Sequence, residues 1–348
     1  MSREIVIEGK IIGDGHPCFI IAEIGINHQG NMELAKNLIT AALEAGTDAV
    51  KFQKRHVERV MVKDWLDKPY TGPQSFGATY GDHKKALEFS EIEFIELKEF
   101  TEELGGIFMA SAWDEESADV LERIGISSYK MASADLLNHP LLEYIARKGK
   151  PMIISTGMAT MEEVREAVEH VGRFINQIAV LQCTSTYPSK FEELNLTVIQ
   201  TYLQKFDTVI GYSGHELGIA IPVAARVLGA SIIERHFTLD RTMKGTDQAA
   251  SLEPGGFARM VRDIRAVEEA LGDGRKRIHE RELPIRTKLA KSIVTKENIP
   301  EGTVIEESML TTKGPGNGIP PSKIDTVIGK RAKKDIPIDS LIFKEDLM

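Results

Sequence analysis

Nearly every short apolar run in this chain ends in an ionisable or hydroxyl side chain, and the residue types suit one kind of chemistry. Lys51 and Gln53 lie two apart, hence on one face of an extended run, and Lys130 stands in another, with Ser133 and Asp135 just beyond it. With Ser111, Ser155 and Ser213 the two lysines make a pair of cations ringed by hydroxyls. Such a set suits a phosphate, a carboxylate, or both on one small molecule. His215 and His236 close two further runs, near Glu216 and Glu234. Two imidazoles with carboxylates nearby suit a divalent metal with open positions. Glu234 shares a face with His236 and is placed to act as a base on water at such a metal. A histidine pair hydrogen-bonded to Glu216 or Glu234 uses the same residues without any metal. Glu23, the Asn27-His28-Gln29 segment and Thr184-Ser185-Thr186-Tyr187 add polar groups at two more run ends. Taken singly, a strand lysine snorkels and a terminal serine caps the next helix. Those roles do not explain why the charges collect at run ends.

The runs must be held in register by something, and the order of elements says what. Extended, β-rich runs are expected over residues 19–25, 48–54, 107–112, 127–133, 151–156, 178–184, 208–212 and 231–237. Each is followed by 3.6-residue periodicity, over 32–45, 91–104, 115–124, 139–147, 161–171, 194–205, 218–228 and 256–271. Eight strand–helix pairs are the arithmetic of a closed (β/α)8 TIM barrel, an α/β fold, with its site at the C-terminal ends of the strands. An open doubly wound sheet would need fewer pairs and a glycine-rich phosphate turn after its first strand; Gly25 to Gly30 does not match that fingerprint. Before the barrel, Glu4 to Glu8 alternates, Gly9-Lys10 turns and Ile11-Ile12 returns, which reads as a β-hairpin. After Leu271 the rhythm stops. The expected organisation is a barrel domain over 1–272, a charged linker over 273–286 and a small β-rich module over 287–348, packed on the barrel or on a partner subunit.

Composition bounds the function. The chain has 348 residues, 42% apolar and 27% charged, with 43 Lys and Arg against 52 Asp and Glu for a net charge of −9. A soluble globular protein follows, with no general pull toward nucleic acid or anionic lipid, so an anionic ligand must be held by a local basic site. Cys18 and Cys183 lie far apart in apolar runs and read as buried reduced thiols, which fits the cytoplasm. Met1-Ser2-Arg3-Glu4 opens without the apolar core of a signal peptide, and no window approaches ~18 uninterrupted apolar residues, so no membrane span is expected.

The motifs Ala22-Glu-Ile-Gly-Ile-Asn-His-Gln-Gly30, Val50-Lys-Phe-Gln53, Tyr129-Lys-Met-Ala-Ser133, Ser155-Thr-Gly-Met158, Cys183-Thr-Ser-Thr-Tyr-Pro188, Gly211-Tyr-Ser-Gly-His215 and Glu234-Arg-His-Phe237 resemble, in order and spacing, those of the sialic acid synthase family. The stretch from Ser292 through Ile299-Pro-Glu-Gly-Thr303 to Lys330 resembles the antifreeze-like (SAF) domain that the family appends to its barrel. The resemblance implies condensation of phosphoenolpyruvate with N-acetylmannosamine or its 6-phosphate, giving N-acetylneuraminate or its 9-phosphate and phosphate. It implies that Lys51, Lys130, Ser111, Ser133, Ser155 and Ser213 hold phosphoenolpyruvate. His215 and His236 would bind Mn2+ or Mg2+ to polarise the sugar aldehyde, and Glu234 would activate water. Glu23, Gln53, Tyr187 and Asp247 match positions lining the acceptor or the metal-side pocket, and a domain-swapped homodimer is implied. Two departures stand out. Asp135 replaces a frequent Glu, and Gly314, preceded by Lys313, stands where bacterial members carry an Arg that reaches across the dimer. The insertion from Val60 to Ser90, with His83-Lys84-Lys85, looks more like the animal enzymes that use the 6-phosphate, although a solvated helix face is the usual fate of such a charge run. Rival readings are synthesis of a related nonulosonate such as legionaminate or deaminoneuraminate, and condensation with another acceptor of the 3-deoxy-octulosonate-phosphate type. A Schiff-base aldolase through Lys130, or a module binding ice or polysaccharide, lies further off.

Overall fold

The structure, a computed structural model, describes residues 3–348. Met1 and Ser2, part of the N-terminus read as lacking a leader, lie outside the described residues. The chain forms two compact units, one ending at Gly272 and one running from Asp273 to Met348.

In the first unit, β1 (Glu4–Ile7) and β2 (Lys10–Gly13) pair as the expected antiparallel hairpin. Its turn falls one residue earlier than the composition suggested: Glu8 and Gly9 both take positive φ, 47° and 76°. That is the geometry of a primed turn, whose twist matches the strands it joins. Eight parallel strands follow: β3 (Phe19–Gly25), β4 (Ala49–Lys54), β5 (Ile107–Ala112), β6 (Tyr129–Met131), β7 (Met152–Ser155), β8 (Ile178–Cys183), β9 (Val209–Gly214) and β10 (Ile232–His236). They close into a barrel in chain order, with β10 returning to pair with β3. Strand β6 is shorter than expected, because a one-turn helix, Ser133–Asp135, begins straight after it. The helix after β8 starts at Val198 rather than near 194, since Asn195 sits at a φ of 44° that no helix tolerates. Elsewhere the helices match the periodicity, several of them started by a side-chain cap such as Asn31, Ser90, Asp114 and Thr160.

Strand alternation divides the barrel's apolar side chains into two sets. One faces the helices and packs the large outer core, including Ile20, Ala22, Val50, Phe52, Phe108 and Ile233. The other points into the lumen: Phe19, Ile21, Ala49, Ile107, Met109, Ile153, Leu181, Val209 and Ile232 form one cluster with Ile5, Ile7 and Ile12 of the hairpin. The hairpin therefore plugs the end of the barrel where the strands begin, and apolar residues fill the lumen above it.

In the second unit β11 (Ser292–Thr295) pairs antiparallel with β12 (Leu310–Lys313) over a core of its own that includes Ile293, Ile299, Ile305, Val327 and Ile342. A helix, Leu283–Leu289, occupies part of the stretch read as linker. No helix is long and apolar enough to cross a membrane among the described residues. Both cysteines are free and buried.

Candidate active site

Following each lumen row toward the strand's C-terminal end, the residues turn polar. Phe19 and Ile21 lead to Glu23, Ala49 to Lys51 and Gln53, Ile107 and Met109 to Ser111, and Ile232 to Glu234 and His236. The ladder registers set these side by side: Glu23 against Lys51, Gln53 and Lys130 each against Ser111, Glu234 against Ser213, and His236 against Glu23. They border a cavity of about 310 Å³. Of the residues predicted from sequence, Glu23, Lys51, Gln53, Ser111, Lys130, Ser133, Ser155, Tyr187, Ser213, His215, Glu234 and His236 all line it.

At the centre are four buried charges. Lys51 Nζ lies 2.6 Å from Glu23 Oε2 and 4.0 Å from Glu234 Oε2, while Lys130 Nζ lies 3.7 Å from Glu234 Oε1. The hydroxyls close in around them: Lys51 donates to Ser111 Oγ at 3.1 Å, Lys130 to Ser155 Oγ at 2.6 Å, and Ser213 Oγ donates to Glu234 Oε1 at 3.0 Å. Gln53 donates to Glu23 Oε1 at 2.9 Å. Burial disfavours the charge on each carboxylate, but with different outcomes. At Glu234 the ammonium groups of Lys130 and Lys51 outweigh burial and hold the carboxyl below its ordinary range. At Glu23 burial wins over Lys51, helped by repulsion from Glu234, and its pKa rises. Two carboxylates pushed apart in this way are suited to different proton roles, with Glu234 the one kept ionised.

Beside them a glycine makes a cradle. Gly157 N–H donates to Ser133 Oγ at 2.9 Å, and a Cβ there would meet Ser185 Oγ at 2.1 Å and Ser133 Oγ at 2.9 Å. Only glycine lets these hydroxyls approach the backbone so closely.

The two histidines stand with ring centres 5.3 Å apart, and Tyr187 packs on His215 at 4.0 Å. His215 Nδ1 donates to Thr184 O at 2.6 Å, which leaves Nε2 as a lone pair. His236 Nδ1 is buried with no hydrogen-bond partner, 3.9 Å from Asp247 Oδ2. Among the described residues no three His, Cys, Asp or Glu side chains gather to hold an ion. The protein offers two nitrogens, one tautomer-locked and one orphaned, a donor set that fits a divalent ion completed by other ligands. The alternative pairing with Glu216 is absent: Glu216 faces the helix layer, where it takes a 2.7 Å ion pair from the fully buried Arg235 and a 2.7 Å hydrogen bond from Tyr212.

The sequence profile of the NeuB family matches residues 38–276, and that of the SAF domain residues 290–348. The chain belongs to the NeuB family. It is 46% identical over 339 residues to the N-acetylneuraminate-9-phosphate synthase of Homo sapiens, covering 97% of this chain and 94% of that protein. It is 37% identical to the N,N'-diacetyllegionaminic acid synthase of Legionella pneumophila, covering 96% of each. Among solved structures it resembles the N-acetylneuraminic acid (sialic acid) synthetase of Leptospira borgpetersenii, with a TM-score of 0.72 and 35% identity over 82% of this chain and 95% of that one. The family expected from the motifs is the one found.

Within this NeuB-family barrel two predicted residues fall outside the cavity lining. Asp247 belongs to the segment after β10 and stands 3.9 Å from His236 Nδ1, and its charge also acts on Lys51 and Tyr187. Asp135 sits in the short helix after β6, where its Oδ1 accepts from Asn138 at 3.2 Å, and it does not line the cavity. The Asn27-His28-Gln29 segment is also structural. Asn27 Nδ2 donates to Phe237 O at 2.8 Å and Ser251 Oγ at 2.9 Å, tying the β3 loop to the segment that carries Asp247. His28 stacks on Phe89 with centroids 4.2 Å apart. Six lining residues were missed: Trp113, Ala132, Ala134, Met158, Cys183 and Ser185. Period-2 alternation from Leu181 would have placed Cys183 in the lumen, and Ser185 lay in a quoted motif. Trp113 and Met158 come from loops, where no periodicity points.

Proposed function

We propose that this protein condenses phosphoenolpyruvate with N-acetylmannosamine or N-acetylmannosamine 6-phosphate, giving N-acetylneuraminate or its 9-phosphate and inorganic phosphate. The observation that carries this is the convergence of Lys51, Lys130 and an ionised Glu234 among serine hydroxyls in one cavity. Lys51 and Lys130, with Ser111, Ser133, Ser155 and Ser213, neutralise and orient the phosphate and carboxylate of phosphoenolpyruvate. Gln53, Tyr187 and Asp247 bound the acceptor's side, with Glu23 between the two. His215 and His236 would hold Mn2+ or Mg2+, which when bound supplies polarisation of the acceptor carbonyl.

C3 of phosphoenolpyruvate attacks that carbonyl carbon, leaving an oxocarbenium-like C2. Water adds at C2 as Glu234 takes its proton. The tetrahedral intermediate then expels phosphate by C–O cleavage, with Lys51 and Lys130 stabilising the departing charge. The names of the similar proteins support this chemistry, including the related nonulosonate synthases, whose products are the alternative outcome. A cytoplasmic, domain-swapped homodimer belongs to the same proposal, and sedimentation at graded concentration tests the dimer.

The decisive assay supplies manganese and phosphoenolpyruvate with N-acetylmannosamine, its 6-phosphate or related N-acylated hexoses, and follows phosphate release with nine-carbon sugar formation. Acceptor-dependent release is the expected result. Release no faster than with phosphoenolpyruvate alone, across all acceptors, overturns the proposal.

A further inference from the structure

The cations assigned to the condensation line the cavity. Arg55 does not, although it is 6% exposed and follows directly on β4, two residues past Gln53. A buried guanidinium needs acceptors for its donors and an opposite charge nearby, and Arg55 finds both.

The opposite charge comes from the insertion between β4 and the helix Glu91–Glu103. The insertion packs around His83, with the ring centres of Tyr70, Phe76 and Tyr80 at 4.7, 5.9 and 6.3 Å. Phe76 N–H donates to His83 Nδ1 at 3.2 Å. Toward its end comes Glu88, whose Oε1 lies 2.9 Å from Arg55 Nε and whose Oε2 accepts from the Arg55 backbone N–H at 3.2 Å. The next residue is tied to the strand as well, for Lys54 Nζ donates to Phe89 O at 2.7 Å. Burial lifts the Glu88 pKa to about 7, although Arg55 and Lys54 pull it down.

From Arg55 the contacts run on to two residues that line the cavity. The guanidinium carbon stands 4.6 Å from the centre of the Trp113 ring, which fixes its plane, and Nη2 donates to Gln53 Oε1. A carboxamide has one accepting end and one donating end. Arg55 offers only donors, so it claims the oxygen and leaves the NH2 group for Glu23. Gln53 Nε2 does donate to Glu23 Oε1, at 2.9 Å. Turned over, the carboxamide would set NH2 against guanidinium, donor against donor. Glu23 passes the hold to Lys51 at 2.6 Å, where Ser111 supplies a second anchor at 3.1 Å.

We propose that Arg55, seated by Glu88, is a positioning residue for the condensation: it fixes which end of the Gln53 carboxamide faces Glu23, and so shapes the acceptor's side of the cavity without touching substrate. This rests on the condensation reading above. Arg55→Met keeps most of the stem and loses every donor; Glu88, already poised near neutrality, then takes a proton instead of standing as an unpaired buried charge. Arg55→Lys restores an ammonium for Glu88, but its compact charge does not span Glu88 and Gln53 together. Both variants should lose about tenfold to 100-fold in kcat/KM for N-acetylmannosamine or its 6-phosphate, whichever the wild type turns over. KM for phosphoenolpyruvate should move less than about twofold, because Ser111 still anchors Lys51. Arg55→Lys should keep the wild-type midpoint of urea unfolding. In a Gln53→Leu background, with no carboxamide left to orient, Arg55→Lys should cost less than about twofold.

If acceptor is turned over and Arg55→Lys matches the wild type in kcat/KM, the positioning role falls and the condensation reading stands. Losses that simply multiply in the Gln53→Leu, Arg55→Lys double variant have the same meaning. If the wild type turns over neither acceptor, the condensation reading falls, and crystal structures of the wild type and Arg55→Lys decide the rest. Gln53 Nε2 on Glu23 in the wild type and displaced in the variant upholds the positioning role; any other result overturns it.

Discussion

The two ends of the barrel lumen are built by the same eight strands with the same alternation, yet they do opposite work. At the lower end Phe19, Ile21, Ile107, Val209 and Ile232 close on Ile5, Ile7 and Ile12 of the hairpin. At the upper end the same inward row carries Glu23, Lys51, Lys130, Glu234 and His236, all buried. Two residues further along a strand, the environment changes from one that stabilises by excluding water to one that holds charges only because they face each other. Burial alone therefore distinguishes nothing here. What separates core from site is position along the strand, and whether a buried charge is matched by another.

If that contrast is right, the largest effects on turnover come from the upper end. Glu234→Gln keeps the shape and the Ser213 contact but loses the base, and kcat should fall roughly 10²- to 10⁴-fold. Phosphate release at saturating substrates measures this, and a variant with near wild-type kcat would remove Glu234 from its role. Arg235 comes next, as a buried charge of the other kind, on the helix-facing side of β10 between Glu234 and His236. Arg235→Met strands Glu216 and should cost about 3–5 kcal/mol in urea unfolding. Combining it with Glu216→Leu should recover much of the loss, because that pair holds structure rather than chemistry. At the lower end, Ile7→Ala should destabilise by about 2–5 kcal/mol while KM for phosphoenolpyruvate stays put. A large change in KM there would mean that plug and site are coupled.

The smallest effect expected is on pH. Burial depresses the His28 pKa from 6.5 to about 3, so between those values the unfolded chain binds a proton that the folded chain does not. Stability is then complete above about pH 6.5 and declines as pH falls toward 3. Going from pH 7 to pH 5 should cost about 2 kcal/mol. A His28→Gln variant should show a flatter slope between those pH values, and an unchanged slope would assign it to other groups.

The barrel was readable because eight alternations of period 2 and period 3.6 leave few other architectures, and because charges repeated at strand ends have no packing explanation. Lys51, Gln53, Glu234 and His236 were placed by simple parity. Residues outside strands were harder. Asp135 lies one helical turn past β6, where parity no longer applies, and it turned to Asn138 instead of the cavity. Met158 is 71% exposed at a φ of 63°, and nothing about a surface methionine announces that it borders a cavity. The His83-Lys84-Lys85 run was divisible only in three dimensions: one side chain went to an aromatic nest, one to an ion pair, and one was left unmatched.

The hairpin beneath the barrel has a kinetic corollary. A vessel stoppered at its foot has a single doorway, so its guests must queue. On the proposed reading, the anion held against Lys130 and Ser155 would have to arrive before the sugar at the entrance. Dead-end inhibitors of each substrate should reveal that sequence of arrivals as an asymmetry: a sugar analogue traps phosphoenolpyruvate inside, whereas a phosphoenolpyruvate analogue leaves the doorway free.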